Sequence, residues 1–166
     1  MLTIKLTEIK VYMFTSQNQD MKVLIVMGSK SDMKFAEKIG EKLKFFGVDF
    51  EYEVASAHKT PEKVLEIVKR EDVDLFVTVA GRSNALSGMV DANTTKPVIA
   101  CPPYSDKFAG MDIFSSLRMP SGVAPLVILE PENAALAVVK ILALKDGSLM
   151  KKIKEYQIMK KREVGL

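Results

Sequence analysis

The sequence predicts an α/β protein: a three-layer sandwich on a parallel five-stranded sheet, with an extra helix at the C-terminus. Two observations carry that expectation. Strand-like apolar runs alternate with segments of helical periodicity, joined by short loops, and this alternation implies parallel strands linked by right-handed crossovers. Two of the runs, Val23–Met27 and Leu75–Ala80, are almost without a polar break. Strands covered by helices on both faces read that way.

Taken in order, Met1 to Asp20 stands apart. Leu2, Ile4 and Leu6 alternate like a short strand, and Ser16-Gln17-Asn18-Gln19-Asp20 reads as loop. Lys5, Glu8 and Lys10 interrupt any signal-peptide core. Residues 1–20 are therefore read as an N-terminal extension, as an upstream start codon would add, and residues 21–166 as one domain. Val23–Met27 is the first strand. A helix follows to about Phe46, with Phe35, Ile39, Leu43 and Phe46 at helical spacing and Gly47 as its stop.

Val48–Ala55 is the second strand, with Val48, Phe50, Tyr52 and Val54 alternating with polar positions. Thr60 as N-cap and Pro61 at the first helical position open the next helix, which turns Val64, Leu65 and Val68 inward. Leu75–Ala80 is the third strand, followed by a Gly/Ser/Asn loop and a short helix to about Ala92. Pro97–Cys101 is the fourth, closed by Pro102-Pro103. Residues 111–117 read as helical with Phe114 and Leu117 inward, and Pro120-Ser121-Gly122 ends them.

Ala124–Leu129 is the fifth strand, and Pro131 opens an alanine-rich helix to about Lys145. A last helix spans about 148–161. Its Ile153, Tyr156 and Met159 form an apolar stripe with few partners in such a domain, so the helix is expected to dock on a neighbouring subunit. Five strands in this order suggest a flavodoxin-like or Rossmann-like sandwich.

Composition bounds the function. Apolar residues make up 48% and charged residues 27%, as in ordinary globular proteins. One cysteine excludes an intramolecular disulfide and favours a reducing cytosol. No apolar run reaches the length of a membrane span. The net charge is +3, and Lys145–Leu166 alone carries seven Lys/Arg against three Asp/Glu. That basic end reads as the solvated face of a terminal helix, so neither nucleic acid nor membrane is an expected partner.

The chemistry is expected at the carboxyl ends of the first three strands, where ligands bind in open α/β sheets. The central stretch is Ser56-Ala57-His58-Lys59-Thr60-Pro61, which holds the only histidine in the chain. An imidazole can take and give a proton near neutrality, and Lys59 beside it suits an anionic ligand. The first loop, Gly28-Ser29-Lys30-Ser31-Asp32, offers backbone N–H groups at a helix amino end and the hydroxyls of Ser29 and Ser31, a setting for phosphate. Asp32 would repel phosphate, so it caps the helix or holds a sugar hydroxyl. Simple capping by Ser31 or Asp32 accounts for this loop equally well.

The third loop, Gly81-Arg82-Ser83-Asn84-Ala85-Leu86-Ser87-Gly88-Met89, can approach a ligand closely and hydrogen-bond it, or merely cap a helix through Ser83 or Asn84. Together the loops describe a pocket for a phosphorylated small molecule with one proton-handling group. One His and one Cys form no zinc site. Cys101 reads as a buried small apolar residue, and Asp91, Asp106 and Asp112 lack the spacing of a metal cage.

These loops, joined by Pro97-Val98-Ile99-Ala100-Cys101-Pro102-Pro103 and Ser115-Ser116-Leu117-Arg118-Met119-Pro120-Ser121-Gly122, closely resemble the 5-aminoimidazole ribonucleotide (AIR) carboxylase family of purine biosynthesis over about Met21 to Lys145. The pairing of Gly28-Ser29-x-Ser31-Asp32 with Ser56-Ala57-His58-Lys59 is specific in combination. One branch of that family rearranges N5-carboxyaminoimidazole ribonucleotide; the other adds CO₂ directly to AIR. The mutase branch usually has Arg after the histidine and a third loop with its own His. Lys59 and a third loop without His resemble the CO₂-using, class II branch, which includes the carboxylase domain of the animal bifunctional enzyme.

The resemblance implies that Ser29, Ser31 and Asp32 hold the ribose phosphate, with Gly28, Ser56 and Lys59 nearby. Gly81, Arg82, Ser83, Asn84, Ala85 and Leu86 would line the aminoimidazole and carboxylate end, and His58 would move the proton at C4. It implies AIR and CO₂ as the small-molecule partners, no cofactor, a cytoplasmic enzyme, and a homo-octamer with active sites at subunit contacts that Arg118 to Gly122 could reach. Two alternatives stay open: the mutase, and a non-catalytic flavodoxin-like module binding flavin or nucleotide.

Overall fold

β1 (Lys22–Met27) is an inner strand of the sheet. It pairs in parallel with β2 (Asp49–Val54) on one side and β3 (Leu75–Val79) on the other. β4 (Val98–Ala100) and the two-residue β5 (Leu126–Val127) extend the sheet, in the order β2-β1-β3-β4-β5. The helices are α1 (Met33–Phe46), α2 (Pro61–Ile67), α3 (Ala85–Asp91), α4 (Phe114–Leu117), α5 (Pro131–Leu142) and α6 (Gly147–Glu163). This computed structural model describes residues 21–165. The expected extension, residues 1–20, lies outside the described residues.

The unbroken apolar strands serve two cores at once, because successive side chains point to opposite faces. Val23, Ile25 and Met27 of β1 pack with Leu75, Val77 and Val79 of β3 against α1, α5 and α6. Leu24, Val26 and Phe76 face the other way, against α2 and α3. The result is the expected parallel α/β sandwich. After β2 the chain crosses to the other side of β1 to form β3, so the sheet has its switch point between β1 and β3. A crevice opens there at the strand carboxyl ends.

Gly47 ends α1 in the left-handed region (φ 71°), where a side chain is disfavoured, and its N–H closes the last turn. Gly40, midway along α1, lets the helix lie on the aromatic rings of β2. A Cβ there would come within 2.0 Å of the Tyr52 hydroxyl and 2.7 Å of the Phe50 ring.

Three expected packing assignments are corrected. Leu65 on α2 faces solvent, and Ile67 takes the inward place beside Val64 and Val68. Phe114 and Leu117 are 51% and 54% exposed, while Ser116 between them is buried. α4 follows a 3-10 turn, Met111–Ile113, and presents its polar side to the chain. The stripe on α6 is only half unpartnered. Leu149 and Ile153 join the core, and Tyr156 packs edge-on against Phe45 and Phe46. Lys152 is buried there and donates to the Phe46 carbonyl at 2.7 Å, covering an acceptor left open at the end of α1. Ile158 and Met159, beyond Tyr156, remain exposed.

Candidate active site

Three loops converge at the switch point, and the first two are fixed to the sheet by backbone hydrogen bonds. The Gly28 N–H donates to the Val79 carbonyl at 2.9 Å. A Cβ on Gly28 would press the Ala80 methyl at 3.2 Å, so glycine lets the first loop lie against the end of β3. Ser29, extended, caps the 3-10 turn that follows: its Oγ accepts from the Ser31 N–H at 3.3 Å and from the Ser31 hydroxyl at 3.0 Å. Asp32 holds the N-cap position of α1 but makes no side-chain capping bond, so the only side-chain cap in this loop is that of Ser29 on the 3-10 turn. Burial raises the Asp32 carboxyl above its ordinary value, partly offset by the Ser29 backbone N–H.

The second loop is a closed turn. The Ala55 N–H is tied to the Met27 carbonyl at 2.9 Å. The Ser56 N–H donates to the Thr60 hydroxyl and the Thr60 N–H to the Ser56 carbonyl, each at 2.9 Å. Thr60 occupies the N-cap position, but its hydroxyl is committed to this turn and does not cap α2. His58 sits within the turn, exposed, and among the described residues its ring has no hydrogen-bond partner.

The cleft between the loops has a volume of about 640 Å³. Gly28, Ser29, Ser31 and Asp32 line it from the first loop, and Ser56, His58 and Lys59 from the second. Gly81, Arg82, Ser83 and Leu86 line it from the third. Asn84 and Ala85 do not. Asn84 is buried; its Oδ1 accepts from the Ser87 N–H at 3.2 Å and its Nδ2 donates to the Ser116 hydroxyl at 2.9 Å. Sequence reasoning missed a fourth contribution, Pro103, Tyr104 and Ser105 beyond β4. The carboxyl-end rule that located the first three loops would have found it, since Pro102-Pro103 marked where that strand stops. Tyr104 also borders a second cavity of about 510 Å³, between this loop and the start of α5.

Chemically, the cleft presents paired serine hydroxyls and two basic side chains suited to an anion. It also presents a half-buried carboxyl suited to a hydroxyl donor, and an exposed imidazole. Cys101 takes no part. It is fully buried, and burial beside Glu130 and Glu132 pushes its thiol up to about 12. Among the described residues no cluster of three His, Cys, Asp or Glu side chains is placed to hold a metal ion.

A family model described as AIR carboxylase matches residues 22–163, which include every cleft residue. The chain belongs to the AIR carboxylase family. Among its relatives, phosphoribosylaminoimidazole carboxylase of Archaeoglobus fulgidus is 64% identical over 151 residues, covering 89% of this chain and 83% of that protein. The N5-carboxyaminoimidazole ribonucleotide mutase of Methanocaldococcus jannaschii is 50% identical over 145 residues, covering 86% and 92%. The crystal structure of Treponema denticola PurE superposes with a TM-score of 0.83 at 47% identity, covering 86% of this chain and 93% of that one. Members of the AIR carboxylase family thus carry two activity names among relatives at least half identical to this chain.

Proposed function

We propose that this protein carboxylates AIR at C4 with CO₂, reversibly, in purine biosynthesis. The observation that carries the reading is the meeting, in one cleft, of Ser29, Ser31 and Asp32 with the chain's only histidine. The serine hydroxyls and helix amino end receive the phosphate, and Asp32 accepts from the ribose hydroxyls. The third loop lies against the aminoimidazole.

The ring is an electron-rich enamine. Its C4 attacks CO₂, a C–C bond forms, and a C=O π pair of CO₂ moves to oxygen as the carboxylate. The cationic ring then loses its C4 proton to an imidazole nitrogen of His58 and regains aromaticity. Decarboxylation returns that proton to C4. A positioned base of this kind contributes about 10²–10⁴-fold, and holding CO₂ over C4 replaces a bimolecular encounter.

Lys59 and the absence of a third-loop histidine support the direct carboxylase over the mutase. The mutase is the second reading, favoured by the name of the Methanocaldococcus relative. A paired assay separates them: AIR with bicarbonate/CO₂ and no ATP, against fresh N5-carboxyaminoimidazole ribonucleotide with released AIR trapped. Product in the first arm alone is expected. Product chiefly in the second assigns the mutase, and silence in both points to a binding module. Residues 21–166 are the catalytic domain in this reading, so a chain starting at Met21 gives unchanged turnover in the same assay.

No helix among the described residues is long and apolar enough to cross a membrane, and the proposed enzyme works in the cytoplasm. Its proposed assembly is a homo-octamer. Exposed Met111, Phe114 and Leu117 supply apolar surface for subunit contacts, as do Ile158 and Met159 of α6. Light scattering should give eight chain masses; a monomer at assay concentration would remove the octamer from the proposal.

A further inference from the structure

Beyond the backbone bonds that tie Gly28 and Ala55 to neighbouring strand ends, the first two cleft loops close on themselves through residues at most four positions apart, whereas the third is held by side chains of a distant segment. We propose that Asp112, Ser115 and Ser116 are positioning residues for the third loop, clamping its backbone so that Arg82 and Ser83 face the cleft. The Asp112 carboxylate accepts the Arg82 N–H at 3.1 Å. The Ser115 Oγ accepts the Asn84 N–H at 2.9 Å and lies 3.2 Å from the Arg82 carbonyl and 2.7 Å from the Asp112 carbonyl. Its single proton is shared between those two acceptors. The Ser116 hydroxyl, buried, receives the Asn84 amide at 2.9 Å.

Both peptide groups flanking Ser83 are thereby gripped by a segment some thirty residues further along the chain. The grip holds a conformation the loop does not favour alone. Arg82 has φ 50°, in the left-handed region that residues other than glycine seldom occupy. Asn84 completes the clamp by capping α3 through the Ser87 N–H. The clamp segment is two-sided. Asp112, Ser115 and Ser116 point at the loop, and Met111, Phe114 and Leu117 at solvent.

This deepens the proposed carboxylation, since the third loop lines the reacting end of the substrate in that reading. Loosening it should harm the chemical step more than nucleotide binding, which rests on the first two loops. The test compares full-length wild type with Asp112→Ala, Asp112→Asn and Ser115→Ala. Turnover is measured with AIR and CO₂, thermal midpoints by calorimetry, and amide exchange at Arg82 and Asn84 by NMR.

For Asp112→Ala and Ser115→Ala, kcat should fall about 10- to 100-fold, with KM for AIR changed less than about threefold. Asp112→Asn should recover most of kcat, because its amide oxygen can accept the same N–H. Exchange at Arg82 should quicken about tenfold or more in Asp112→Ala, and at Asn84 in Ser115→Ala. Unchanged kcat and exchange in the alanine variants overturn the proposal. A loss matched by unfolding, and not recovered by Asp112→Asn, overturns it as well. An inactive wild type removes the carboxylase reading instead, and the exchange measurement still decides the clamp. Should Ser115→Ala not fold, the two Asp112 variants decide alone.

Discussion

The His58 ring makes no hydrogen bond among the described residues. Ser56 and Thr60 hold its backbone turn, while its ring is left to meet a ligand. His58→Asn should therefore fold and bind AIR as the wild type does, with turnover down about 10²–10⁴-fold. Calorimetric titration with AIR beside the carboxylation assay checks this, and near-normal turnover in the variant would end the proton-shuttle role. The residues whose place in the cleft was legible in the sequence were those set by local spacing: His58 after a strand end, and Ser29, Ser31 and Asp32 at a helix start. Asn84 was misplaced for a physical reason. Its amide partner, Ser116, is 32 positions away, and no local pattern encodes that pairing. Tyr104 follows Pro102-Pro103 in a loop with no histidine and no glycine-serine run to draw notice.

At the scale of elements, hydrophobic spacing located the first four strands and the long helices well because their apolar faces meet this chain's own core; of the fifth expected strand, Ala124–Leu129, only Leu126–Val127 pairs, and Leu126 is half exposed. Spacing failed on α4 for the converse reason. Phe114 and Leu117 recur at helical spacing, yet among the described residues their side of the helix is left half exposed, and the polar side faces inward to the third loop. α6 failed the other way: Phe45, Phe46 and Lys42 of α1 receive Tyr156, a contact no pattern within α6 announces.

Gly40 is a test of how closely an element is fitted. In an isolated helix, alanine would be favoured over glycine by about 1 kcal/mol. Here the added methyl would meet the rigid rings of Phe50 and Tyr52, well inside contact distance. Overpacking of that kind costs about 1–3 kcal/mol, so Gly40→Ala should be destabilised overall, read as a lower urea midpoint at unchanged m-value. A raised midpoint would mean that β2 yields easily and that the fit of α1 to the sheet is loose.

Across the whole molecule, charge is divided between the two ends of the sheet. The cleft end keeps Lys59 and Arg82 without salt bridges among the described residues, whereas the amino-terminal end concentrates its ion pairs. There Lys22 at the start of β1 reaches Glu51 of β2 at 3.0 Å and Asp72 at 3.3 Å. Arg70 joins the same two carboxylates at 2.7 and 2.6 Å, and the Lys22 N–H donates to Asp74 at 3.0 Å. The network ties β1, β2 and the segment leading into β3 at the end remote from the cleft. Hydrogen bonds from Arg70, then Lys22, hold the Glu51 carboxyl below its ordinary 4.5, and Arg70 holds Asp72 well below its ordinary 3.8.

A carboxyl whose folded pKa is depressed binds protons more readily in the unfolded chain. Its contribution to stability is thus complete above the unfolded value and is lost as pH falls from there through the folded one. The window opens near pH 4.5 and extends downward. Solvent and salt screen these exposed groups, so the effect is a change of slope rather than a collapse. Thermal midpoints at pH 7, 5, 4 and 3 should fall more steeply below pH 4.5 for the wild type than for Arg70→Met, whose turnover at pH 7 should match the wild type. Parallel curves for the two proteins would mean that the network adds nothing to folding. A loss of turnover in Arg70→Met would mean that the two ends of the sheet are energetically coupled.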